Sequence, residues 1–197
     1  MFEAADPYRY TLEQPMAVTP GTVFNYSGGA SSLLGRVLAK ATGRRVDDYA
    51  RDKLFGPLEI TDFEWLNFEG SKEIAAFAGL RLRPRDLAKI GQLMVSGGLW
   101  NGHRVVPQDW VVESVKPRLN TDSGLLYYGY QWWMGHSLAR GRDLIWIGGI
   151  GLGGQRLYIV PELDLVVAIN SAHYGSSLQG VIPINILNRF VLPAIAD

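Results

Sequence analysis

The sequence predicts an α+β domain, with helices first, an antiparallel meander of strands second and one helix at the end. Two features of the 197 residues carry that prediction. Up to about Val115 the apolar residues recur at helical spacing between Gly and Pro breaks, and after it they gather in short aromatic and β-branched runs. Strand-like and helical runs do not alternate, as a chain of βαβ units would require. The reading is of one domain over 1–197, mainly helical over 19–122 and built of sheet strands and a closing helix over 123–197.

The first 18 residues have no period and read as loop, and Pro20-Gly21 marks a turn. Ala30, Leu33, Leu34, Val37, Leu38 and Ala41 form a helical stripe that Gly43 stops. Val46, Tyr49, Ala50 and Leu54 mark a second, short helix ended by Gly56-Pro57, and residues 58–83 read as loops. Leu87, Ile90, Met94 and Val95 mark a third helix between Pro84 and Gly97-Gly98. Asn101-Gly102 suits the type I′ turn of a small hairpin over Trp100–Val106. Pro107 fits the first position of a fourth helix running through Val115. Strands are expected at Tyr127–Met134, Leu144–Ile147, Gln155–Val160 and Leu165–Asn170, the last two joined as a hairpin by Pro161–Asp164. A final helix is expected from Ile184 to Leu192, between Pro183 and Pro193.

Composition narrows the partners. Lys plus Arg and Asp plus Glu balance at 19 each with no basic tract, which argues against nucleic acid. The absence of cysteine removes disulfides, thiolate metal sites and a cysteine nucleophile. No apolar run approaches the roughly 20 residues of a membrane span. Met-Phe-Glu-Ala-Ala-Asp at the start lacks the basic-then-apolar order of a signal peptide. Neither a metal nor a cofactor is implied.

The run Gly148-Gly149-Ile150-Gly151-Leu152-Gly153-Gly154 is the most unusual feature. Gly149, Gly151 and Gly154 satisfy G-x-G-x-x-G, but a dinucleotide site needs a helix directly afterwards. Gln-Arg-Leu-Tyr-Ile-Val-Pro reads instead as a strand; a plain wide turn between two strands stays open as a reading. Tyr26, in Phe-Asn-Tyr-Ser-Gly-Gly at the mouth of the first striped helix, reads as a core or capping residue or as a catalytic one. Ser27 is set aside as a nucleophile, because Asn25 stands where G-x-S-x-G needs glycine. His103, His136 and His173 are scattered, without helical partners, and read as ordinary surface or hydrogen-bonding residues. Of Trp132-Trp133, alternation along a strand puts one ring in the core.

Taken in order, these pieces resemble one family. Pro20-Gly21-Thr22-x-Phe24-x-Tyr26-Ser27-Gly28-Gly29, Leu54-Phe55-Gly56-Pro57-Leu58, the stretch from Leu80 to Gly102, Tyr128-Gly129-Tyr130-x-Trp132-Trp133, and Gly151-x-Gly153-Gly154-Gln155 through Val160-Pro161-Glu162-Leu163-Asp164 are similar to segments of the class C β-lactamase and penicillin-recognising esterase family. The match runs from about Pro20 to Tyr174. The resemblance implies a β-lactamase/transpeptidase-like fold and a serine hydrolase acting on a small ester or amide. In that family a Ser-x-x-Lys serine attacks a carbonyl, a tyrosine shuttles the proton, and a Lys/His-x-Gly motif lines the sheet beside the substrate. Carried over by position, Tyr26 is the general base, and Gly149-Ile150-Gly151 is the third motif. The backbone N–H of Leu152 then serves the oxyanion hole, and Gly28, Gly149, Ile150, Gly151 and Trp132 line the substrate.

Three departures shape the expectation. Gly28 stands in place of an asparagine and Gly149 in place of a lysine or histidine, which argues for the esterase or amidase branch over an efficient β-lactamase. A phenol titrates near 10, so a tyrosine serving as base at neutral pH needs a neighbouring cation. Finally, no serine in the chain has a lysine three residues later. The N-terminal part of the fold, with the nucleophile, is therefore expected to be absent. That predicts either a truncated hydrolase or an inactive remnant that binds a ligand or partner in the same cleft. It also predicts self-association, or pairing with the missing segment, through an unprotected strand edge at Leu144–Ile147.

Overall fold

The computed structural model describes residues 6–121 and 124–195, so the expected 122/123 boundary between the helical and sheet parts lies outside the described residues. The chain divides after Arg83 into two compact units, Met1–Arg83 and Pro84–Asp197.

The first unit opens with a helix, α1 (Pro7–Leu12), where loop was expected. Its signal is local: the Asp6 carboxylate accepts from the N–H groups of Tyr8 and Arg9 at 3.0 Å, and Pro7 occupies the first turn. α2 (Gly28–Thr42) follows the expected stripe, with Ser27 as N-cap and Gly43 left-handed at its end. Its Gly35 lies so close to Ala76 that an added Cβ would stand 2.5 Å from the alanine methyl. α3 (Val46–Ala50) runs on into a π-helical turn, Arg51–Phe55, which ends at Gly56 as expected. Residues 58–83 are not all loop. β1 (Phe63–Trp65) and β2 (Leu80–Leu82) pair antiparallel, and Trp65 donates its indole N–H to the carbonyl of Ala78 at 3.1 Å.

The second unit is a six-stranded antiparallel sheet with helices against it. α4 (Pro84–Val95) matches the expected third helix. Asn101 and Gly102 both take positive φ, as a type I′ turn requires, between β3 (Leu99–Trp100) and β4 (His103–Arg104). α5 (Gln108–Ser114) starts one residue later than expected, with Pro107 as its N-cap. The sheet holds β5 (Leu119–Asn120), β6 (Tyr127–Tyr128), β7 (Trp133–Ala139), β8 (Arg142–Gly151), β9 (Gln155–Val160) and β10 (Leu165–Ile169), each beside the next in chain order.

The expected strand Tyr127–Met134 is two strands, broken at Gly129–Trp132, where Gln131 takes a positive φ. β8 is longer than expected and is an interior strand. Arg142–Gly148 pair with β7 on one side, and Ile147–Gly151 pair with β9 on the other.

Leu144, Trp146, Tyr158, Val160, Leu187 and Leu192 form the buried core between the sheet and the C-terminal helix. Each such side chain contributes about 1.5–3 kcal/mol by leaving water. That helix begins earlier than expected. α6 (Leu178–Ile186) contains Pro183 inside it, and after a π-helical turn over Leu187–Val191 comes α7 (Leu192–Ile195), which contains Pro193. The stretch Leu178–Ile195 is 18 residues long and apolar enough to pass the length and composition test for a membrane span. The two prolines hid that run in the sequence. Its Leu187 and Leu192 are packed in the sheet core.

Candidate functional site

The residues expected to carry chemistry fall in two places, one in each unit. In the first unit Tyr26 is the last residue before the N-cap of α2, and the residue is 55% exposed. That exposure leaves the buried-core reading unsupported. Ser27 is occupied as a cap, its Oγ accepting from the N–H of Ala30 at 3.2 Å. Gly28 is the first residue of α2, and an added Cβ there would meet the Phe77 ring at 3.0 Å. A side chain at 28 thus needs Phe77 to give way, which is a packing reason for glycine where the family carries asparagine.

In the second unit the glycine run is the end of β8 and a three-residue turn into β9 (Leu152, Gly153 and Gly154), so residues 155–160 are a strand and the dinucleotide reading falls. The glycines serve different ends. At Gly148 a Cβ would collide with the carbonyl of Leu157 across the ladder, so glycine is a steric need. Gly153 and Gly154 take φ of +81° and +94°, and a Cβ on Gly153 would stand 2.5 Å from the Tyr174 ring. At Gly149 the nearest atom to a Cβ is Leu157 Cβ at 4.0 Å, an ordinary contact. Packing does not ask for glycine at that position. Ile150 turns its side chain into the core with Trp146 and Leu144, so only its backbone is presented along the strand. Trp132 is half-buried just before Trp133, which pairs with Gly148. Of the two rings Trp133 is the one in the core, edge-on to Tyr128 at 5.0 Å.

Leu152 is 72% exposed at the tip of the turn, and its N–H meets no backbone acceptor among the described residues. Around it the turn is held from several sides. Gly153 donates its N–H to the Gln179 side-chain oxygen at 2.9 Å, and its carbonyl accepts from the N–H of His173 at 2.9 Å. The Gln155 side chain donates to the Ser171 carbonyl and accepts from the Ser171 N–H at 3.2 Å, a side chain bonding as a neighbouring strand would. Arg156 is only 6% exposed. Its guanidinium donates to the carbonyls of Gly151 at 3.0 Å, Gln155 at 2.7 Å and Gln179 at 2.8 Å.

Arg156, Gln179 and Gln155 were not singled out in the sequence. One signal was available: a lone charge at a core-facing register position of an apolar strand, two residues before Tyr158 and four before Val160.

The histidines keep to their ordinary reading. His103 is exposed in β4, His136 Nδ1 lies 3.1 Å from both Asp143 carboxylate oxygens on the neighbouring strand, and His173 braces the turn through its backbone. No group of three or more His, Asp or Glu side chains is arranged to hold a metal among the described residues.

Similarity to known proteins points one way. The Beta-lactamase family model matches residues 1–181. The 6-aminohexanoate-dimer hydrolase of Paenarthrobacter ureafaciens is 29% identical over 154 residues, covering 73% of this chain and 38% of that protein. A candidate 6-aminohexanoate-dimer hydrolase from Bacillus anthracis superposes with a TM-score of 0.78 at 25% identity, over 91% of this chain and 46% of that one. The octameric penicillin-binding protein homologue from Pyrococcus abyssi shares the fold, with a TM-score of 0.65 at 20% identity over 91% of this chain and 47% of that one. The chain thus spans about half the length, or less, of these relatives. A family match over nearly all of the sequence, on a fold held in common with penicillin-binding proteins, places this chain in the Beta-lactamase family, among the hydrolase-like proteins related to β-lactamases.

Proposed function

We propose that these residues are the general-base and oxyanion parts of a serine hydrolase that cleaves a short linear amide or ester. Tyr26 relays the proton, and the Leu152 N–H stabilises the oxyanion. Gly28, Gly149, Ile150, Gly151 and Trp132 line the acyl side of the substrate.

The observation that carries the reading is the braced β8–β9 turn. An oxyanion donor must already point at the place where charge develops, and one such donor is worth about 3–4 kcal/mol of transition-state stabilisation. Leu152 is an exposed residue whose N–H has no backbone acceptor among the described residues, on a turn whose flanks are tied to Gln179, His173 and Arg156. A linear amide is favoured over a β-lactam by the 6-aminohexanoate-dimer hydrolase likeness and by the lack of a cation at Gly149.

The sequence holds no Ser-x-x-Lys, so hydrolysis requires that pair from outside these 197 residues. The 197-residue chain alone is expected to form no covalent adduct with a fluorophosphonate or a penicillin, read by intact mass. A stoichiometric adduct would show that a nucleophile lies within the chain and would overturn this assignment. In a protein joining these residues to a Ser-x-x-Lys, Tyr26→Phe should lower turnover of a good ester by about a hundredfold with folding intact. Turnover near wild type would return Tyr26 to a structural role.

A further inference from the structure

The first unit holds a concavity of about 510 Å3 that the proposed hydrolase chemistry does not use. It is bounded by α1, α2, the start of α3 and the loop at 72–74. Its walls carry five cationic side chains, Arg36, Lys40, Arg44, Arg45 and Lys72, against one carboxylate, Glu73. Small and apolar residues, among them Gly35, Ala39 and Val46, make the rest of the lining. Pockets for small molecules commonly measure about 300–1,000 Å3, so the space is of the right order.

The local structure explains the gathering. Arg36 and Lys40 stand four residues apart on α2 and share a face. The left-handed Gly43 then ends the helix and turns the chain, setting Arg44 and Arg45 beside that face. The three arginines are already fixed. Arg36 donates to Glu73 at 2.8 Å and lies 5.4 Å from the centre of the Tyr8 ring. Arg44 donates to the Asp48 carbonyl at 2.9 Å and to Asp52 at 2.6 Å. Arg45 forks onto Asp47 at 3.0 and 3.1 Å and also donates to the Lys72 carbonyl.

The lysines differ. Among the described residues neither the Lys40 nor the Lys72 ammonium has a carboxylate within ion-pair distance. With Glu73, Asp47 and Asp52 each set against an arginine, two positive charges on the pocket wall stay uncompensated. A cation at the end of α2 complements the helix dipole, which accounts for Lys40. Lys72 comes from a separate loop, and the dipole does not account for it.

We propose that this concavity binds a compact polyanion, a small molecule bearing two or more phosphate or carboxylate groups. Lys40 and Lys72 supply the compensating charge, and the arginines' remaining N–H donors supply charge-assisted hydrogen bonds. The site is open to solvent, so its affinity falls as salt rises.

The test is isothermal titration calorimetry of the 197-residue chain with pyrophosphate and, separately, citrate, at low ionic strength in a buffer free of multivalent anions. One saturable site is expected, weakened by about tenfold or more in Lys40→Ala/Lys72→Ala, a loss of roughly 1.4 kcal/mol or more for the two charges together. The preferred probe tells phosphate from carboxylate. Lys53→Ala/Lys116→Ala removes the same charge from surfaces outside the pocket and should leave binding within about twofold. Circular dichroism establishes that both variants remain folded. Absence of saturable binding to either probe, or equal weakening in both double variants, overturns the proposal. Because no catalysis is read, failure here leaves the hydrolase assignment standing, and failure of that assignment leaves this site standing.

Discussion

At Arg156 a full positive charge lies inside a sheet with three carbonyl oxygens around its guanidinium. A buried charge is tolerated when its donors are satisfied, and removing it orphans the acceptors. Arg156→Ala should therefore cost roughly 3 kcal/mol of stability in urea titration, and Arg156→Lys should fall between, because an ammonium cannot fork onto separate carbonyls. Two residues on, burial pushes the Tyr158 phenol above its ordinary value near 10, while Arg156 pulls it partly back. The native state then keeps a proton that the unfolded chain loses. Unfolding releases that proton, so stability is fully present below about pH 10 and declines as pH rises from there through the raised native value. Urea midpoints taken across this range should fall with pH, and Tyr158→Phe should flatten the fall. Neighbouring glycines set a contrast of their own. Gly148→Ala forces Cβ onto the Leu157 carbonyl and should unfold the sheet locally, whereas Gly149→Ala should be nearly neutral for folding.

Among the elements, α4 lies close against the sheet at Gly91. An added Cβ there would lie 2.5 Å from Val166 and 3.1 Å from Leu157. Alanine gains about 1 kcal/mol of helix propensity over glycine, but overpacking costs about 1–3 kcal/mol. With Val166 in β10 and Leu157 in β9 both held in the ladder, Gly91→Ala should lower Tm, a result that a thermal melt would show; a rise would mean the strands can shift. The elements legible in the sequence are those set by local chemistry. The α2 stripe with its Ser27 and Gly43 caps, α4 between Pro84 and Gly97, the Asn101-Gly102 turn and the β9–β10 hairpin all formed where expected. α1 was missed although Asp6-Pro7 announces it, since six residues are too few to show a period. β8 was cut short at Ile147 because glycine is a poor strand former, and the pairing with β9 imposes extension on Gly148–Gly151 all the same. The glycine run stood out by its own composition, and the family resemblance gave it and Tyr26 their roles. The brace around Leu152 did not, because Arg156 and Gln179 are 23 residues apart and meet only through folding.

For the molecule as a whole, the edge expected at Leu144–Ile147 is covered in part: β7 pairs along all of it, β9 reaches it only at Ile147, and Leu144 and Trp146 bury their side chains in the core. The sheet ends at two-residue β5 on one side and, among the described residues, at the longer β10 on the other, Leu-Val-Val-Ala-Ile, which carries neither a charge nor a proline. Unguarded edges of that kind recruit a further strand. Sedimentation equilibrium at micromolar concentration should show association of the 197-residue chain, and a clean monomer would refute the exposed edge. The sheet order has a second consequence, in the rates at which the chain lets go of its amide protons. β9 has a strand on either side, and every residue from Arg156 to Val160 is buried. Its N–H groups can reach water only when the sheet itself opens, while those on the outer side of β10 need a far smaller excursion. Deuterium uptake should consequently be slowest in Arg156–Val160, intermediate in β8 and fastest at the rim, so that the strand leading out of the glycine turn is the last part of the unit to forget its native state.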